Sequence, residues 1–333
     1  MGNQAGPETI NRLRAAADSA FAMLAGMQLD VFTPLKNGAM TAEQIAATIG
    51  VAPQRLRLLL YCLVAAELLT EKGGKFSNTR EANEVLVKGN PGYIGNRQAS
   101  MANRWAASLK TAESIRTGVP QQNVDFSNSA PDHLEKFLRT INANTVPAAR
   151  TLLDKYDFTS ATTLMDVGSG GAGLAITITK ACPHIQATAI DLPQVAPIAE
   201  KIVKEQDATD RVKVIAANVL EGPVPGVYDV AVLRGLLQVF SAEDAARAVK
   251  NIAAAIKPNG KIYIIGQILD DSRISPAEAV GFNLNLINHY PAGEAYTESE
   301  HRQWLTNAGF VEIERSNALI AEGSGLMMAR KAG

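Results

Sequence analysis

The sequence predicts an α/β protein: a doubly wound, mostly parallel sheet of seven strands, preceded by a helical, winged-helix-like N-terminal domain. Three observations predict it. From about residue 160 short apolar runs alternate with helical stretches, as parallel strands joined by crossovers do. The run TLMDVGSGGAGLAITI (163–178) reads as a buried strand that breaks into glycine and restarts as a helix. Before residue 160 the pattern is helical, apart from one short hairpin signal.

Taken in order, ETINRLRAAADSAFAMLAGMQLDVF carries apolar residues at three- and four-residue spacing without an internal proline, and predicts a first helix. Thr41 is the expected N-cap of a second helix that Gly50 ends; Pro53 opens a third, and KGG turns a hairpin. That winged-helix order has two readings. Arg55 and Arg57 on the third helix suit DNA, but basic residues are too sparse to neutralise many phosphates. LRLLLYCLVAAELL is apolar nearly all round, which predicts burial in a packing or dimerisation module, the preferred reading. The apolar stripe of PETINRLRAAADSAFAML is costly to expose and predicts a homodimer. The domains expected are 1–110 for dimerisation, 111–157 for connecting helices that line the substrate pocket (loop signals TGVPQQN and NSAPD), and 158–333 for the sheet. Its strands are TTLMDV, IQATAID, VKVIAANV, DVAVLR, KIYIIGQIL and the closing pair VEIERS and SGLMMARK. A ligand in such a sheet lies beyond the carboxyl ends of the central strands, between the two domains and completed partly by N-terminal helices.

Bulk properties narrow the partners. The 333 residues are 47% apolar and 20% charged, with a formal net charge of -1, so no global field draws nucleic acid or an anionic membrane. No apolar run approaches the roughly 20 residues that span a bilayer, and MGNQAGPETI has no signal core. Two cysteines in apolar helical patterns make no disulfide framework; a reducing cytoplasm is expected. No metal is called for.

Gly168, Gly170 and Gly173 fit G-x-G-x-x-G, the dinucleotide fingerprint, but that signal alone is weak. Glycines at such a turn let the backbone approach a ligand and present amides at a helix N-terminus. Asp191 ends the second strand, where an acid binds ribose hydroxyls of either a dinucleotide or another adenosine cofactor. Asp166, before the first glycine, is not part of the dinucleotide pattern. Together DVGSGGAG, DLPQV, VLRGLLQVFSAEDA, IKPNGKIYI and YTESEHRQWLTNAGF, in that order, resemble the class I S-adenosylmethionine-dependent methyltransferases of the plant-type O-methyltransferase and acetylserotonin O-methyltransferase family. LDVFTPL and MTAEQIAATIG resemble that family's N-terminal dimerisation domain.

The resemblance implies a Rossmann-like site for S-adenosyl-L-methionine, made by Asp166, Gly168, Gly170, Asp191, Leu192, Asn218, Val219 and Arg234. Gly168 and Gly170 face the methionine part, Asp191 the ribose diol, Leu192, Asn218 and Val219 the adenine, and Arg234 the carboxylate. Asn218 departs from the family's usual Asp. The family's base, a histidine in L-[KR]-x-x-x-H-D-W, corresponds to Gln238, and its two glutamates to Gly266 and Ala295. A phenol titrates near pH ~10 and is a poor nucleophile until deprotonated. Three explanations stand. The base has moved to His289, Tyr290 or Tyr296. Or the acceptor is a thioether with its own lone pair, as in S-methylation of 4-methylthio-2-hydroxybutyrate toward dimethylsulfoniopropionate, where alignment suffices; this reading leads. Or an activated carbon is methylated. For a small hydroxy acid, Asn142, Asn283, Asn285, His289 and Tyr290 supply donors, Leu286 an apolar wall, and Arg104 or Arg139 a carboxylate partner. A regulator sensing the cofactor through its winged helix is the non-enzyme alternative, weakened by the near-zero charge.

Overall fold

The computed structural model describes residues 6–124, 126, 130–143, 145–316, 319 and 324–333; residues 1–5 of the N-terminal segment and 128–129 of the expected NSAPD loop lie outside the described residues. The chain divides into two compact units, Met1–Ala106 and Ala107–Gly333.

The first unit runs α1 (Glu8–Gln28), β1 (Met40–Thr41), α2 (Ala42–Ile49), α3 (Pro53–Ala65), β2 (Leu69–Lys72), β3 (Lys75–Asn78), α4 (Arg80–Val85) and most of α5 (Gln98–Ser108). Thr41 caps α2 in a reciprocal pair: its hydroxyl accepts from Gln44 N–H, and the Gln44 carboxamide accepts from Thr41 N–H. Gly50 ends that helix at φ 73°, and Gly73 and Gly74, both at positive φ, turn β2 into β3. β1 adds a third strand that the sequence pattern did not reveal, in the order β1–β3–β2. Within one chain α3 is buried on one side. Leu56, Leu60 and Leu63 enter the core with Ile45 and Phe76, while Leu58 and Tyr61 are 58% and 49% exposed. A single core on one side of a helix cannot cover both faces. Ile10, Leu13 and Phe21 on α1 are exposed as well.

The second unit holds α6 (Thr111–Thr117), α7 (Pro131–Ala143), α8 (Thr145–Lys155), β4 (Thr163–Val167), α9 (Gly173–Ala181), β5 (Gln186–Asp191), α10 (Ala196–Glu205), β6 (Val212–Ala216), β7 (Tyr228–Arg234), α11 (Ala242–Ala253), β8 (Ile256–Gly266), β9 (Ile268–Leu269), α12 (Ala277–His289), β10 (Tyr296–Thr297), α13 (Glu298–Asn307), β11 (Phe310–Ser316) and β12 (Gly325–Lys331). The seven-stranded sheet has the order β11–β12–β8–β7–β4–β5–β6. β6, β5, β4, β7 and β8 form parallel ladders; β12 pairs antiparallel with both β8 and β11. One apolar layer lies under α11 and α13 with Val249, Ile252 and Leu305, the other under α8, α9 and α10 with Leu152, Ile178 and Ile202. Helices on both faces explain why β4 and β7 read as nearly unbroken apolar runs. The order reverses at β4, which puts the ligand crevice at the carboxyl ends of β5, β4 and β7.

The strand expected over 261–269 is two. It starts earlier, at Ile256, and breaks after Gly266; Ile268 and Leu269 then pair in parallel with Tyr296 and Thr297. The break falls at Gln267, whose N–H leaves the sheet to donate to the Gln238 carboxamide oxygen at 2.8 Å.

Candidate active site

At the carboxyl ends of β4 and β5 the glycine loop is held by the neighbouring strand. Gly168 and Ser169 both donate their N–H to Ile190 O, at 2.9 and 3.2 Å. Gly168 sits at φ 68° and a Cβ there would meet Leu236 Cδ1 at 2.8 Å; Gly170 sits at φ 54°. Both conformations and the close approach need glycine. Gly173 is required for packing instead, since a Cβ would fall 2.1 Å from Thr145 Oγ1 and 2.2 Å from Asn142 Oδ1.

Two carboxylates serve this loop differently. Asp191 accepts from Gly170 N–H at 2.7 Å with Oδ2 and from its neighbour Leu192 N–H at 2.8 Å with Oδ1. Each oxygen keeps lone-pair capacity for a further donor, as a ribose diol supplies. Asp166 is fully buried and accepts from Ala175 N–H in the first turn of α9 at 3.1 Å. Its assignment as a cofactor contact is corrected: a carboxyl with no exposed surface braces the loop's helix from below. Burial pushes it up to about 7, against the pull of the Ala175 N–H; Asp191 adds to the rise and Arg234 opposes it. Burial also raises Asp191, opposed by its two backbone bonds.

Leu192 packs with Leu138 and Ile141 of α7 and with Val195, making an apolar shelf beside the loop. Asn218 spends part of its carboxamide locally: Oδ1 accepts from Leu220 N–H and Nδ2 donates to Glu221, both at 3.0 Å, so an adenine contact is left one lone pair and one N–H. Val219 is buried, its carbonyl accepting from Asn251 Nδ2. Arg234 ends β7 beside the buried Asp166.

The other end of the crevice, beyond β7 and β8, is built from carboxamides. Gln238 follows β7 in a short turn (Leu237–Val239), two residues after the leucine that closes over Gly168. Its Oε1 accepts from Gln267 N–H and lies 2.9 Å from where a Gly266 Cβ would stand. The Gln238 side chain thus fills the space of a side chain at 266. Asn283 accepts with Oδ1 from Ala295 N–H at 2.8 Å. The three positions where the resemblance implied a histidine and two glutamates hold no titratable group; the Gln238 side chain accepts from the Gln267 amide, and the Ala295 amide donates to Asn283.

The remaining expected site residues fall in different places. Tyr296 is no base: it is buried, its hydroxyl donates to Phe240 O at 2.6 Å, its ring packs edge-on against Trp304, and burial raises its pKa. It anchors the turn that carries Gln238. Tyr290 is also raised by burial. Leu286 is fully buried among Leu269, Ala279 and Ala295 and walls no open pocket. Arg139 is bidentate on Glu205 and also paired with Glu135, so its fork is occupied. Asn142 packs against Gly171 and Gly173 of the loop, with its Oδ1 buried. Arg104 stands on α5 of the first unit, its pKa lowered by burial and then by Arg97.

His289 ends α12. Its Nδ1 lies 2.8 Å from Asn285 O, and a carbonyl only accepts, so Nδ1 carries the proton and Nε2 the lone pair. α12 itself is strapped down: Asn288, fully buried, accepts from Ser114 Oγ and donates to Thr111 Oγ1 and Leu284 O, while Gln122 and Val124 N–H donate to the carbonyls of Asn288 and His289. Sequence reasoning missed Leu236, Ile141 and the Gln267 amide. The apolar pair had no signal beyond composition, and a backbone N–H has none at all.

The residues fit an adenosyl cofactor: a glycine turn at positive φ that a Cβ would fill, and a carboxylate with spare lone pairs for a diol. Comparison with known proteins agrees. Residues 16–88 match the O-methyltransferase dimerisation domain. The chain is 29% identical over 318 residues to the tetracenomycin polyketide synthesis 8-O-methyl transferase TcmO of Streptomyces glaucescens, covering 92% of each chain. It is 26% identical over 319 residues to 3-hydroxy-5-methyl-1-naphthoate 3-O-methyltransferase of Streptomyces sahachiroi, covering 93% of this chain and 91% of that one. The fold is that of human N-acetylserotonin methyltransferase, solved in complex with its methyl donor, with a TM-score of 0.79 at 20% identity over all of both chains. Because residues 117–311, more than half of the sequence, match the O-methyltransferase domain, the chain belongs to the O-methyltransferase family, whose methyl donor is S-adenosylmethionine.

Proposed function

We propose that this chain methylates a hydroxyl of a small aromatic molecule, with S-adenosylmethionine held at Gly168, Gly170 and Asp191. The observation that carries it is the Asp191 carboxylate pinned on the Gly170 and Leu192 amides with its remaining lone pairs toward the crevice. The cofactor supplies an electrophilic methyl on a sulfonium; the chain's part is alignment and exclusion of water. Leu192, Ile141 and Leu138 give the adenine an apolar shelf. The aromatic hydroxyl acceptor draws its support from the two Streptomyces relatives. The cofactor-sensing regulator gives way to an enzyme.

A second reading rests on its own observation, the lack of a titratable group at 238, 266 and 295. A thioether such as that of 4-methylthio-2-hydroxybutyrate needs no base, although none of the relatives named above is described as a sulfur methylase. Incubation with the cofactor and a panel of phenols, naphthols, thioethers and carboxylic acids, read by mass, decides between them. Methyl transfer to phenols or naphthols is expected; transfer to thioethers alone selects the second reading, and transfer to none sinks both.

Two copies pair through the first unit, whose α1 and α3 leave Ile10, Leu13 and Leu58 exposed in one chain. Light scattering is expected to give a dimer at micromolar concentration. Among the described residues no helix is long and apolar enough to cross a membrane.

A further inference from the structure

We infer that Gln238 selects the acceptor as an anion, its Nε2 amide donating to the ionised oxygen that receives the methyl group. This rests on the methyl-transfer reading above and names the ionisation state of its substrate. The orientation of the carboxamide is not arbitrary. Gln267 N–H must meet an oxygen, so Oε1 is fixed on it and the NH₂ end is what remains for the crevice. The residue is half-buried, on the turn after β7, with Leu236 of the same turn over Gly168 and with Gly293, itself beside Tyr290 at the end of α12, against its carbonyl. That places it between the cofactor loop and α12. Asn283 is oriented the same way, its oxygen on Ala295 N–H and its amide left as a donor.

A carboxamide donor cannot take a phenol's proton, whereas it can hold a phenolate by a charge-assisted hydrogen bond, roughly twice as strong as a neutral one. Nearby acidic charge is kept off this end: Glu294 and Glu300 both pair with Arg273. In the transfer step the acceptor's proton has already gone to solvent. The bond from methyl carbon to sulfonium sulfur breaks and its pair returns to sulfur, while the phenolate lone pair makes the new carbon–oxygen bond. No proton moves within the site.

The test uses the full-length protein, the phenols and naphthols that pass the mass-read panel, and Gln238→Glu. That variant keeps an oxygen for Gln267 N–H and replaces the donor by a charged oxygen, so an ionised acceptor loses its donor and is repelled, whereas a role confined to the Gln267 bond is retained. Thermal melting within a few degrees of wild type and unchanged cofactor binding by calorimetry check that it folds. Loss of the donor is expected to cost at least about tenfold in kcat/KM. In the wild type the midpoint of the alkaline rise in kcat/KM is expected to move with the acidity of each acceptor. A midpoint that stays fixed across acceptors, or an unchanged Gln238→Glu, overturns the inference while leaving methyl transfer in place; Gln238→Leu then shows whether the Gln267 bond alone matters. Absence of transfer to any acceptor tells instead against the methyl-transfer reading. Turnover confined to thioethers overturns the anionic-acceptor inference alone.

Discussion

The two ends of the crevice use one device, charged at one end and neutral at the other. Beyond β5 a carboxylate, Asp191, accepts from the backbone amides of Gly170 and Leu192; beyond β8 a carboxamide, Gln238, accepts from the amide of Gln267. In both, a side-chain oxygen fixes a loop by one or two N–H bonds. What the side chain has left over differs. Asp191 has lone pairs and a charge, suited to hydroxyl donors. Gln238 has a neutral NH₂, suited to lone pairs. The pinning explains the fold of each loop, and the remainder sets what each can bind.

The largest expected effect is at the charged end. Asp191→Ala removes both loop bonds and the diol acceptor together, which at about 1.5–3 kcal/mol for hydrogen bonds to a charged group predicts cofactor affinity weaker by roughly 100-fold. Calorimetry with S-adenosylmethionine measures it; a change below about fivefold would remove Asp191 from the cofactor site. The carboxamide end is expected to be softer. In Gly266→Ala the new Cβ stands 2.9 Å from Gln238 Oε1, the far end of a flexible chain, which can swing aside. Stability falls by about 1 kcal/mol for the lost Gln267 bond, while kcat/KM drops about tenfold as the donor loses its aim. Equal melting and equal kinetics would show that position 266 and Gln238 are not coupled.

This difference also decided what was legible in the sequence. The charged end has a spacing signature: strand, acid, glycines, helix, then an acid closing the next strand. Glycine at positive φ and a carboxylate with few neutral substitutes leave a pattern that a single chain reveals, and the doubly wound sheet follows from the same alternation. The roles inside that pattern were less legible. Asp166 reads like a ligand contact until burial shows it under α9, and Arg139 reads like a carboxylate partner until Glu205, 66 residues away, takes its fork. At the acceptor end the sequence offered only the substitution of Gln238 for a base. What Gln238 does depends on a backbone amide 29 residues on, and on a glycine beside it that leaves room. Neither partner has a side-chain signal, so the reading turned to His289, Tyr290 and Tyr296, of which Tyr296 is already committed to a carbonyl.

A smaller effect separates the two carboxyls of the charged end. The Asp166 carboxyl titrates at about 7 in the fold, against the ordinary ~3.9 of an unfolded chain. Between those values the native state binds more protons. The stability this group contributes is therefore fully present below about pH 4 and is lost as pH rises through about 7. Asp166→Asn cannot ionise but keeps an oxygen for Ala175 N–H. Its stability relative to wild type is expected to improve as pH is raised from 5 to 8, read from urea midpoints without cofactor. Parallel profiles would mean that Asp166 is already ionised throughout, and that the helix amide outweighs its burial.

The smallest effect is expected at His289, and it is the sharpest test of the neutral end. With Nδ1–H on Asn285 O, Nε2 is an acceptor in the tautomer a general base needs, so geometry alone does not exclude it. The case against a base there is chemical. An acceptor that arrives ionised has no proton to give up, and a base near it gains nothing. His289→Ala loses one hydrogen bond at the end of α12, worth about 1 kcal/mol, but that helix remains tied through the fully buried Asn288 to Ser114 and Thr111. Turnover is expected within about threefold of wild type, with the pH profile unmoved. A hundredfold loss with normal melting, and disappearance of the alkaline rise, would put the base at His289 and reduce Gln238 to a pin for the strand break at Gln267.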